Sequence, residues 1–388
     1  MPVINRFAEM LPELAAWRRD IHAHPELRFE EHRTAAFVAS KLEEFGCDEV
    51  ITGFGGTGVV GVINGKKGPA GKTIGFRADM DALPIQEATG LPHASIIPGK
   101  MHACGHDGHT SMLLGAAKYL AETRNFDGRV VLAFQPAEEG GGGARAMIEA
   151  GLMDGWAIEE IYGMHNMPGM PVGEFAVRTG PQMASPDKFE ITVRGTGGHG
   201  AMPQKGVDTT LVAAQIVVAL QSIVSRNIDP MDKVVVSVCG FRTETATYNV
   251  IPDSARLLGT VRTFDPEVQQ QVRARIDALA TATALGYGAV AEVTHISGPP
   301  PLVNHAQEAD LAAEVAEAIS GVAHRDLDPI MAGEDFSEML LERPGAYLFV
   351  GNGGSADLHN PSYEFNDEVI PAGCSWFVTM AERRLPLA

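Results

Sequence analysis

Cysteine is scarce in this sequence, and long apolar runs are absent from it. The four cysteines, Cys47, Cys104, Cys239 and Cys374, lie far apart and lack the paired spacing of a disulfide framework, so we expect reduced thiols. No apolar run approaches the ~20 residues that a membrane-spanning helix needs. The N-terminal residues also lack the pattern of a signal peptide. Together these absences predict a cytoplasmic protein.

Positive charge is in short supply as well. Lysine and arginine number 30 against 49 aspartates and glutamates, which gives a formal net charge of −19. Nucleic acids and anionic membranes call for basic patches, so this balance argues against both as partners. The hydrophobic content of 45% and the charged content of 20% are typical of a globular protein. At 388 residues the chain exceeds one ordinary core, which predicts two domains.

Helical and strand-like patterns alternate over the first part of the chain. Apolar residues have helical spacing at 5–22 and from about 30 to 45. Strand-like runs occur at 58–63, 73–76, 129–134 and 160–163. This alternation predicts an α/β fold with a mixed, mostly parallel sheet and helices on both faces. Polar motifs follow three of these strands, at the carboxyl ends where ligands gather in such sheets.

A different pattern begins near residue 185. Strands and apolar helices follow one another in the order β-α-β-β-α-β, which is that of ferredoxin-like α+β modules. We therefore predict an inserted domain at residues 185–295 that serves as a lid and for dimerisation. The first domain would then be discontinuous, at residues 1–184 and 296–388.

The densest group of potential metal ligands is the segment 101–110, M-H-A-C-G-H-D-G-H-T. Its thiol and imidazoles are the donors that zinc-like ions prefer. Cys104 and His106 are two residues apart, so on an extended segment both point to the same side. The glycines that follow would let the backbone turn before a helix at 111–123. The other polar side chains are expected to cap that helix or support the ligands: His102, Asp107 and His109.

Glu138 and Glu139 form a second group, after the apolar strand 129–134 and before four glycines. Neighbouring side chains on an extended backbone point to opposite sides, so one carboxylate can bind metal while the other moves a proton. His165 likewise ends a strand, and His359 lies in a loop rich in turn residues. The sum is five candidate ligands: Cys104, His106, Glu139, His165 and His359. Five ligands suit two ions that share a bridging group and a water.

Six motifs together resemble those of the metal-dependent amidohydrolases, a group that includes hippurate hydrolase, N-acyl-amino-acid deacylases and the plant auxin-conjugate hydrolases. The motifs are M-H-A-C-G-H-D-G-H-T (101–110), Q-P-A-E-E-G (135–140), M-H-N (164–166), G-G-H-G-A-M-P (197–203), A-G-E-D-F (332–336) and L-H-N-P-S-Y-E-F-N-D (358–367). They cover nearly the whole chain in family order, so the resemblance is specific.

The resemblance implies hydrolysis of the amide bond of N-acyl or N-aroyl amino acids. It implies two divalent ions per chain (Zn, Mn, Ni or Co), the five ligands named above, and Glu138 as general base. Wider relatives carry a His-x-Asp metal motif where this chain reads Arg77-Ala78-Asp79. Arg77 cannot ligate a metal, and Asp79 is therefore expected to support the ligands from outside. The expected assembly is a homodimer through the inserted domain, or a tetramer.

Three residues of the inserted domain complete the predicted site. The oxyanion formed in amide hydrolysis needs a hydrogen-bond donor, and the candidate is His199 in G-G-H-G-A-M-P. In relatives the partner subunit supplies this histidine. Asn249, in Y-N-V-I-P, and Arg262, in G-T-V-R-T-F-D, are candidates for holding the substrate.

Other functions stay open at this point. A dipeptidase or aminopeptidase would use the same di-metal chemistry, and a non-catalytic metal-binding protein could share the fold. Glu138 argues against the latter, because a structural metal site needs no spare base. A redox role for Cys104 lacks a resolving cysteine nearby in the sequence.

Overall fold

The computed structural model describes residues 3–245 and 247–387, and the chain forms two compact units. The large unit comprises Met1–Gly180, Val303–Asp328 and Asp335–Ala388. The small unit comprises Pro181–Leu302 and Pro329–Glu334.

The small unit extends beyond the predicted boundaries of 185 and 295. Two contacts within it give the physical reason. The N–H of Gly298 donates to Asp187 Oδ1 at 3.0 Å, which ties the segment after the last strand back to the first. Arg262 Nε donates to the carbonyl of Met331 at 3.0 Å, which attaches a short segment distant in sequence.

Eleven α-helices lie within the described residues. In chain order they are α1 (Asn5–Ala23), α2 (His32–Phe45), α3 (His106–Thr123), α4 (Gly143–Glu149), α5 (Leu152–Gly155), α6 (Thr209–Leu220), α7 (Ser222–Arg226), α8 (Pro266–Gly286), α9 (Ala306–Ser320), α10 (Phe336–Glu342) and α11 (Ile370–Arg384). Two short 3-10 helices span Pro203–Lys205 and Asp367–Val369.

The same part of the chain contains sixteen strands. They are β1 (Glu49–Phe54), β2 (Gly58–Asn64), β3 (Thr73–Asp79), β4 (Arg129–Gln135), β5 (Glu160–Pro168), β6 (Phe175–Ala176), β7 (Gly180–Met183), β8 (Ser185–Arg194), β9 (Gly198–His199), β10 (Val235–Thr243), β11 (Val250–Ile251), β12 (Ser254–Thr263), β13 (Val290–Ile296), β14 (Leu302–Asn304), β15 (Ala323–His324) and β16 (Gly345–Gly353).

The large unit is built on an eight-stranded sheet in the order β1-β2-β4-β3-β5-β16-β6-β15. Its four central strands, β4, β3, β5 and β16, pair in parallel, whereas β1, β2 and β4 pair antiparallel. Every residue of β3 is buried, as expected for a strand covered on both faces. Helix α3 packs against α1, α2 and α11, and α10 packs against α4, β5 and β16. The predicted mixed, mostly parallel α/β sheet is confirmed.

The small unit contains an antiparallel sheet in the order β10-β12-β8-β13. Buried residues alternate along β8, so one face of this sheet carries the core. Helices α6 and α8 pack together and against β12 to close that core. Asp208 and Asp265 cap these helices by accepting two backbone N–H groups each. The four strands of this sheet and the helices α6 and α8 follow one another in the β-α-β-β-α-β order expected from the sequence, and α7 and the short strands β9 and β11 lie between them.

The stretch Thr209–Arg226, which comprises α6 and α7, is the one described segment whose length and composition would let it cross a membrane. In the structure its inward-facing residues belong to the core of the small unit: Val212, Ala213, Ile216, Leu220 and Ile223. Its apolar character is therefore explained by packing against a sheet.

Candidate metal centre

The first part of the site is a tight turn that leads into α3. Gly105 caps the helix at a φ of +89°, a conformation that L side chains rarely adopt. A Cβ at this position would lie 2.3 Å from Asn166 Oδ1, so the turn requires glycine. The turn places Cys104 just before the helix and His106 at its first residue.

The predicted start of this helix, at residue 111, is wrong, because α3 begins at His106. Gly108 suggested a turn, but it is helical. Its lack of a side chain is needed for packing, since a Cβ there would lie 2.2 Å from the Phe365 ring. Asp107 and His109 therefore lie in the first helical turn. Cys104 and His106 approach each other through the left-handed turn, and not along one extended segment.

The remaining ligand candidates come from the ends of strands in the central sheet. Glu138 and Glu139 follow β4, and His165 lies near the end of β5. His359 lies in the loop after β16, and its N–H donates to the carbonyl of Ala103 at 2.8 Å. Because β4, β5 and β16 run in the same direction, their carboxyl ends meet at one edge of the sheet.

The structure brings all five predicted ligands together, and we call them the donor cluster: Cys104, His106, Glu139, His165 and His359. Potential donor atoms lie within 4.8 Å of one another in three overlapping trios: Cys104 with His106 and His165, Cys104 with Glu139 and His359, and His106 with Glu138 and Glu139. Cys104 Sγ is 3.3 Å from His165 Nε2, and His359 Nε2 is 3.1 Å from Glu139 Oε1.

Two histidines of the donor cluster have nitrogen atoms that suit a metal ion. His106 is fully buried, and neither of its ring nitrogens makes a hydrogen bond of good geometry: Nδ1 lies 3.4 Å from Asp81 Oδ1, and Nε2 lies 3.7 Å from Asp79 Oδ2. A buried polar atom without a partner is costly, and an ion would remove that cost. His165 Nδ1 donates to the backbone carbonyl of Asn166 at 2.7 Å, which leaves the Nε2 lone pair directed at Cys104. Thiolate, imidazole and carboxylate donors together fit a zinc-like divalent ion.

The electrostatics of the donor cluster call for positive charge. Burial raises the pKa of the Cys104 thiol, and the nearby carboxylates of Glu139, Glu138 and Asp79 raise it further. Burial lowers the pKa of His106, but Asp79, Asp81 and Glu139 outweigh that effect and raise it to about 10. The site thus gathers negative charge around two groups that must lose protons to bind a metal.

Asp79 and His109 are hydrogen-bonded to each other beside the donor cluster. Asp79 Oδ1 accepts a hydrogen bond from His109 Nδ1 at 2.6 Å, and Asp79 Oδ2 accepts one from Arg77 Nη1 at 2.6 Å. His109 Nε2 lies 2.8 Å from Asn166 Oδ1. Asp79 thus lies beside His106, with its Oδ2 3.7 Å from His106 Nε2, and its charge is balanced by Arg77.

Arg77 and Asp81 make contacts beside the donor cluster that were not predicted in detail from the sequence. Arg77, considered there only as a non-ligand, donates to Asp79, to Gln135 and to Asp335. Asp81 accepts the N–H groups of both Glu138 and Glu139, each at 3.0 Å. The sequence signal for Asp81 was its spacing, two residues after Asp79 at the end of β3, because side chains two apart on an extended backbone point to the same side.

The other predicted residues, His199, Asn249 and Arg262, lie in the small unit. His199 and Asn249 are exposed and adjacent, since His199 on β9 pairs with Val250 on β11. Within the small unit, the Arg262 guanidinium donates to the carbonyls of Met331 and Val261, both at 3.0 Å.

Fold and site together define a class, and the comparison with known proteins agrees with it. Residues 75–383 match peptidase family M20/M25/M40, and the chain belongs to this family. The class is that of metal-dependent amidohydrolases, as the motifs predicted.

Among its relatives is hippurate hydrolase of Campylobacter jejuni, 43% identical over 387 residues, which covers 99% of this chain and 100% of that protein. N-acetyl-L-cysteine deacetylase of Bacillus subtilis is 43% identical over 385 residues, covering 96% and 88%. The crystal structure of Bacillus subtilis YxeP, a dinuclear metal-binding peptidase of the M20 family, superimposes with a TM-score of 0.85 at 36% identity, covering 97% and 99%.

Proposed function

We propose that this chain hydrolyses the amide bond between an acyl or aroyl group and an amino acid. The observation that carries the proposal is the donor cluster, in which thiol, imidazole and carboxylate groups form overlapping trios with donor atoms within 4.8 Å of one another, beside a second carboxylate, Glu138. Relatives named for hippurate hydrolysis and for N-acetylcysteine deacetylation, each 43% identical, support this substrate class.

We propose that the donor cluster holds two divalent ions, as the name of the related YxeP structure indicates for that protein. When bound, two such ions activate a water molecule and polarise the amide carbonyl. Cys104 and Glu139 each belong to two of the three donor trios. Either side chain could therefore contribute to the binding of both ions. Asp79 would hold the cluster in place through His109.

Glu138 is the proposed general base. Its neighbour Glu139 lies 3.1 Å from His359 Nε2, and both glutamates share a trio with His106 and are partly exposed. A carboxylate in this position can take the proton of the attacking water and pass it to the departing nitrogen. We further propose that His199 donates a hydrogen bond to the oxyanion, and that Asn249 and Arg262 hold the substrate.

The first test separates the two glutamates. Glu138→Gln should retain both ions and lose roughly 10²-fold or more in kcat, the usual scale of general acid–base catalysis. Glu139→Gln should lose metal. Turnover would be measured on N-acyl amino acids, together with metal content by plasma mass spectrometry. If Glu138→Gln loses metal and Glu139→Gln retains metal but loses turnover, the roles of base and ligand are reversed.

The substrate class needs its own test. Metal-loaded wild-type protein would be assayed on N-benzoyl, N-acetyl and longer N-acyl amino acids, with dipeptides as the matched alternative. We expect higher kcat/KM on the N-acyl amino acids. Preference for dipeptides with a free amino group would identify a peptidase instead, and inactivity on all substrates with two ions bound would favour a non-catalytic metal-binding protein.

A further inference from the structure

The segment that carries the two glutamates has an unusual backbone. We call residues 136–140, which follow β4, the glutamate turn. Ala137 within it adopts a φ of +52°, in the left-handed region that residues with a Cβ disfavour. Such a conformation persists only where the surroundings impose it, so something must hold Ala137 in place.

The group that holds Ala137 is a buried carboxylate from a distant part of the chain. Glu31 Oε1 accepts the N–H of Ala137 at 2.9 Å and also that of Phe29 at 3.0 Å. Its second oxygen accepts a hydrogen bond from the Thr57 hydroxyl. Glu31 is fully buried, and it precedes α2 by one residue. It therefore joins three segments that are separate in sequence.

Glu31 lies outside the donor cluster, yet its contacts lead directly to it. The next two N–H groups along the glutamate turn, those of Glu138 and Glu139, are bound by Asp81 at 3.0 Å each. Arg28 Nη1 also donates to the carbonyl of Glu139 at 2.8 Å. Three successive N–H groups of the turn thus donate to two buried carboxylates. These hydrogen bonds hold the backbone from which the side chains of Glu138 and Glu139 extend.

We propose that Glu31 is a positioning residue for the reaction, acting through Ala137. By fixing Ala137 at positive φ, it directs Glu138 toward the reacting water and Glu139 toward the metal ligands. The catalytic part of this inference rests on the proposed function. A displacement of about 1 Å in a catalytic group can cost on the order of 10² in rate, so the effect of losing Glu31 is measurable.

The experiment uses Glu31→Ala, Glu31→Gln and the double variant Glu31→Ala with Ala137→Gly, all in the full-length, metal-loaded protein. Glu31→Ala should keep both ions and the wild-type KM within about twofold, but lose roughly 10²-fold in kcat. Glu31→Gln keeps one acceptor oxygen and should lose less. Glycine adopts positive φ freely, so kcat of the double variant should be about tenfold higher than kcat of Glu31→Ala. A purely structural role for Glu31 predicts no such recovery.

Glu160 provides the matched control, since it is also a buried, multiply bonded carboxylate of the large unit, and it is the first residue of β5, whereas His165 lies near the other end of that strand. Glu160→Gln should lower stability without changing kcat. A second readout does not depend on turnover: amide hydrogen exchange in peptides that cover the glutamate turn. We expect exchange there to be at least about tenfold faster in Glu31→Ala than in wild type or Glu160→Gln, because opening of the turn exposes these N–H groups.

Unchanged exchange in the glutamate turn of Glu31→Ala would overturn the proposal, whatever the activity. So would a loss of kcat that is fully explained by missing metal, or a double variant no better than Glu31→Ala. An inactive wild-type protein would instead contradict the proposed function, and the exchange measurement would still decide whether Glu31 holds the turn.

Discussion

At the scale of single residues, the surroundings of a cysteine decide what it can do. Cys104 is buried among carboxylates and imidazoles, within 4.8 Å of donor atoms from four other side chains. Cys374 is also buried, but its thiol donates to the carbonyl of Met112 at 3.1 Å within the apolar core. Cys47 and Cys239 are half-buried and exposed, respectively, and belong to no described donor group. Of the four thiols, that of Cys104 is the one that lies among potential donor atoms of the described residues.

Cys104→Ala should accordingly lower the metal content by at least one ion per chain and abolish most activity, because two of the three donor trios contain Cys104. Plasma mass spectrometry after gel filtration would measure the retained metal. Cys47→Ala and Cys374→Ala are the controls and should retain both ions. A Cys104→Ala protein with full metal content would remove the thiol from the ligand set.

At the scale of elements, strands were easier to predict than the turns between them. The run 129–134 matches β4, and 58–63 matches β2 to within one residue, because strands buried on both faces of a sheet are continuous apolar runs. The start of α3 was missed because its first turn, His106 to His109, is polar and contains a glycine. These polar residues lie at the candidate site. Their low helix propensity therefore does not indicate the helix that the segment forms.

The donor cluster followed from the sequence because strand ends in a parallel sheet converge at one edge. The roles of Glu31 and Arg77 did not. Glu31 reaches the glutamate turn across 106 residues of sequence, and Arg77 reaches Asp335 across 258. Contacts over such separations leave no local pattern, and a lone acidic or basic residue is more often found on the surface.

One prediction belongs to strand β5, whose first residue is Glu160. Arg384 of α11, Lys72 and Tyr162 all donate hydrogen bonds to its carboxylate. Burial raises the pKa of Glu160, but these three partners lower it to about 2, against 4.5 for an unperturbed glutamate. The stabilisation is therefore present in full above pH 4.5 and is lost as the pH falls toward 2.

Glu160→Gln should thus lower the thermal midpoint by about 2–4 °C at pH 7 and by progressively less between pH 4.5 and 2. Differential scanning calorimetry across this range would measure the difference. The neighbouring Glu159→Gln, at an exposed position, is the control and should change the midpoint little at either pH. A Glu160→Gln effect that is the same at pH 7 and pH 3 would mean that the ion pairs do not stabilise the fold.

At the scale of the whole molecule, the chain divides the predicted roles between its two units. The donor cluster and Glu138 lie in the large unit, whereas His199, Asn249 and Arg262 lie in the small unit. The small unit comprises Pro181–Leu302 and Pro329–Glu334, and it has its own apolar core. The proposed metal ligands therefore all belong to the large unit, and the contribution of the small unit has to be tested separately.

We propose that His199 acts at the donor cluster of a partner subunit in a homodimer. Two nearly inactive variants, His199→Ala and Glu138→Gln, test this by mixing. In a mixed dimer, one large unit with intact Glu138 would receive the intact His199 of its partner, and the opposite site would carry both lesions. Complete random exchange of equal amounts makes half of the dimers mixed, each with one working site of two. Activity should therefore recover to roughly a quarter of wild type.

The control for this experiment is proof that subunits exchange, from native mass spectrometry of differently tagged chains. A mixture of Glu138→Gln with Glu139→Gln, whose lesions both lie in the large unit's own site, should stay inactive, because no arrangement of those subunits places a complete pair of glutamates in one chain. Exchange that is complete without any gain in activity would show that His199 does not work across the interface. It would then serve its own chain, or have no part in the reaction.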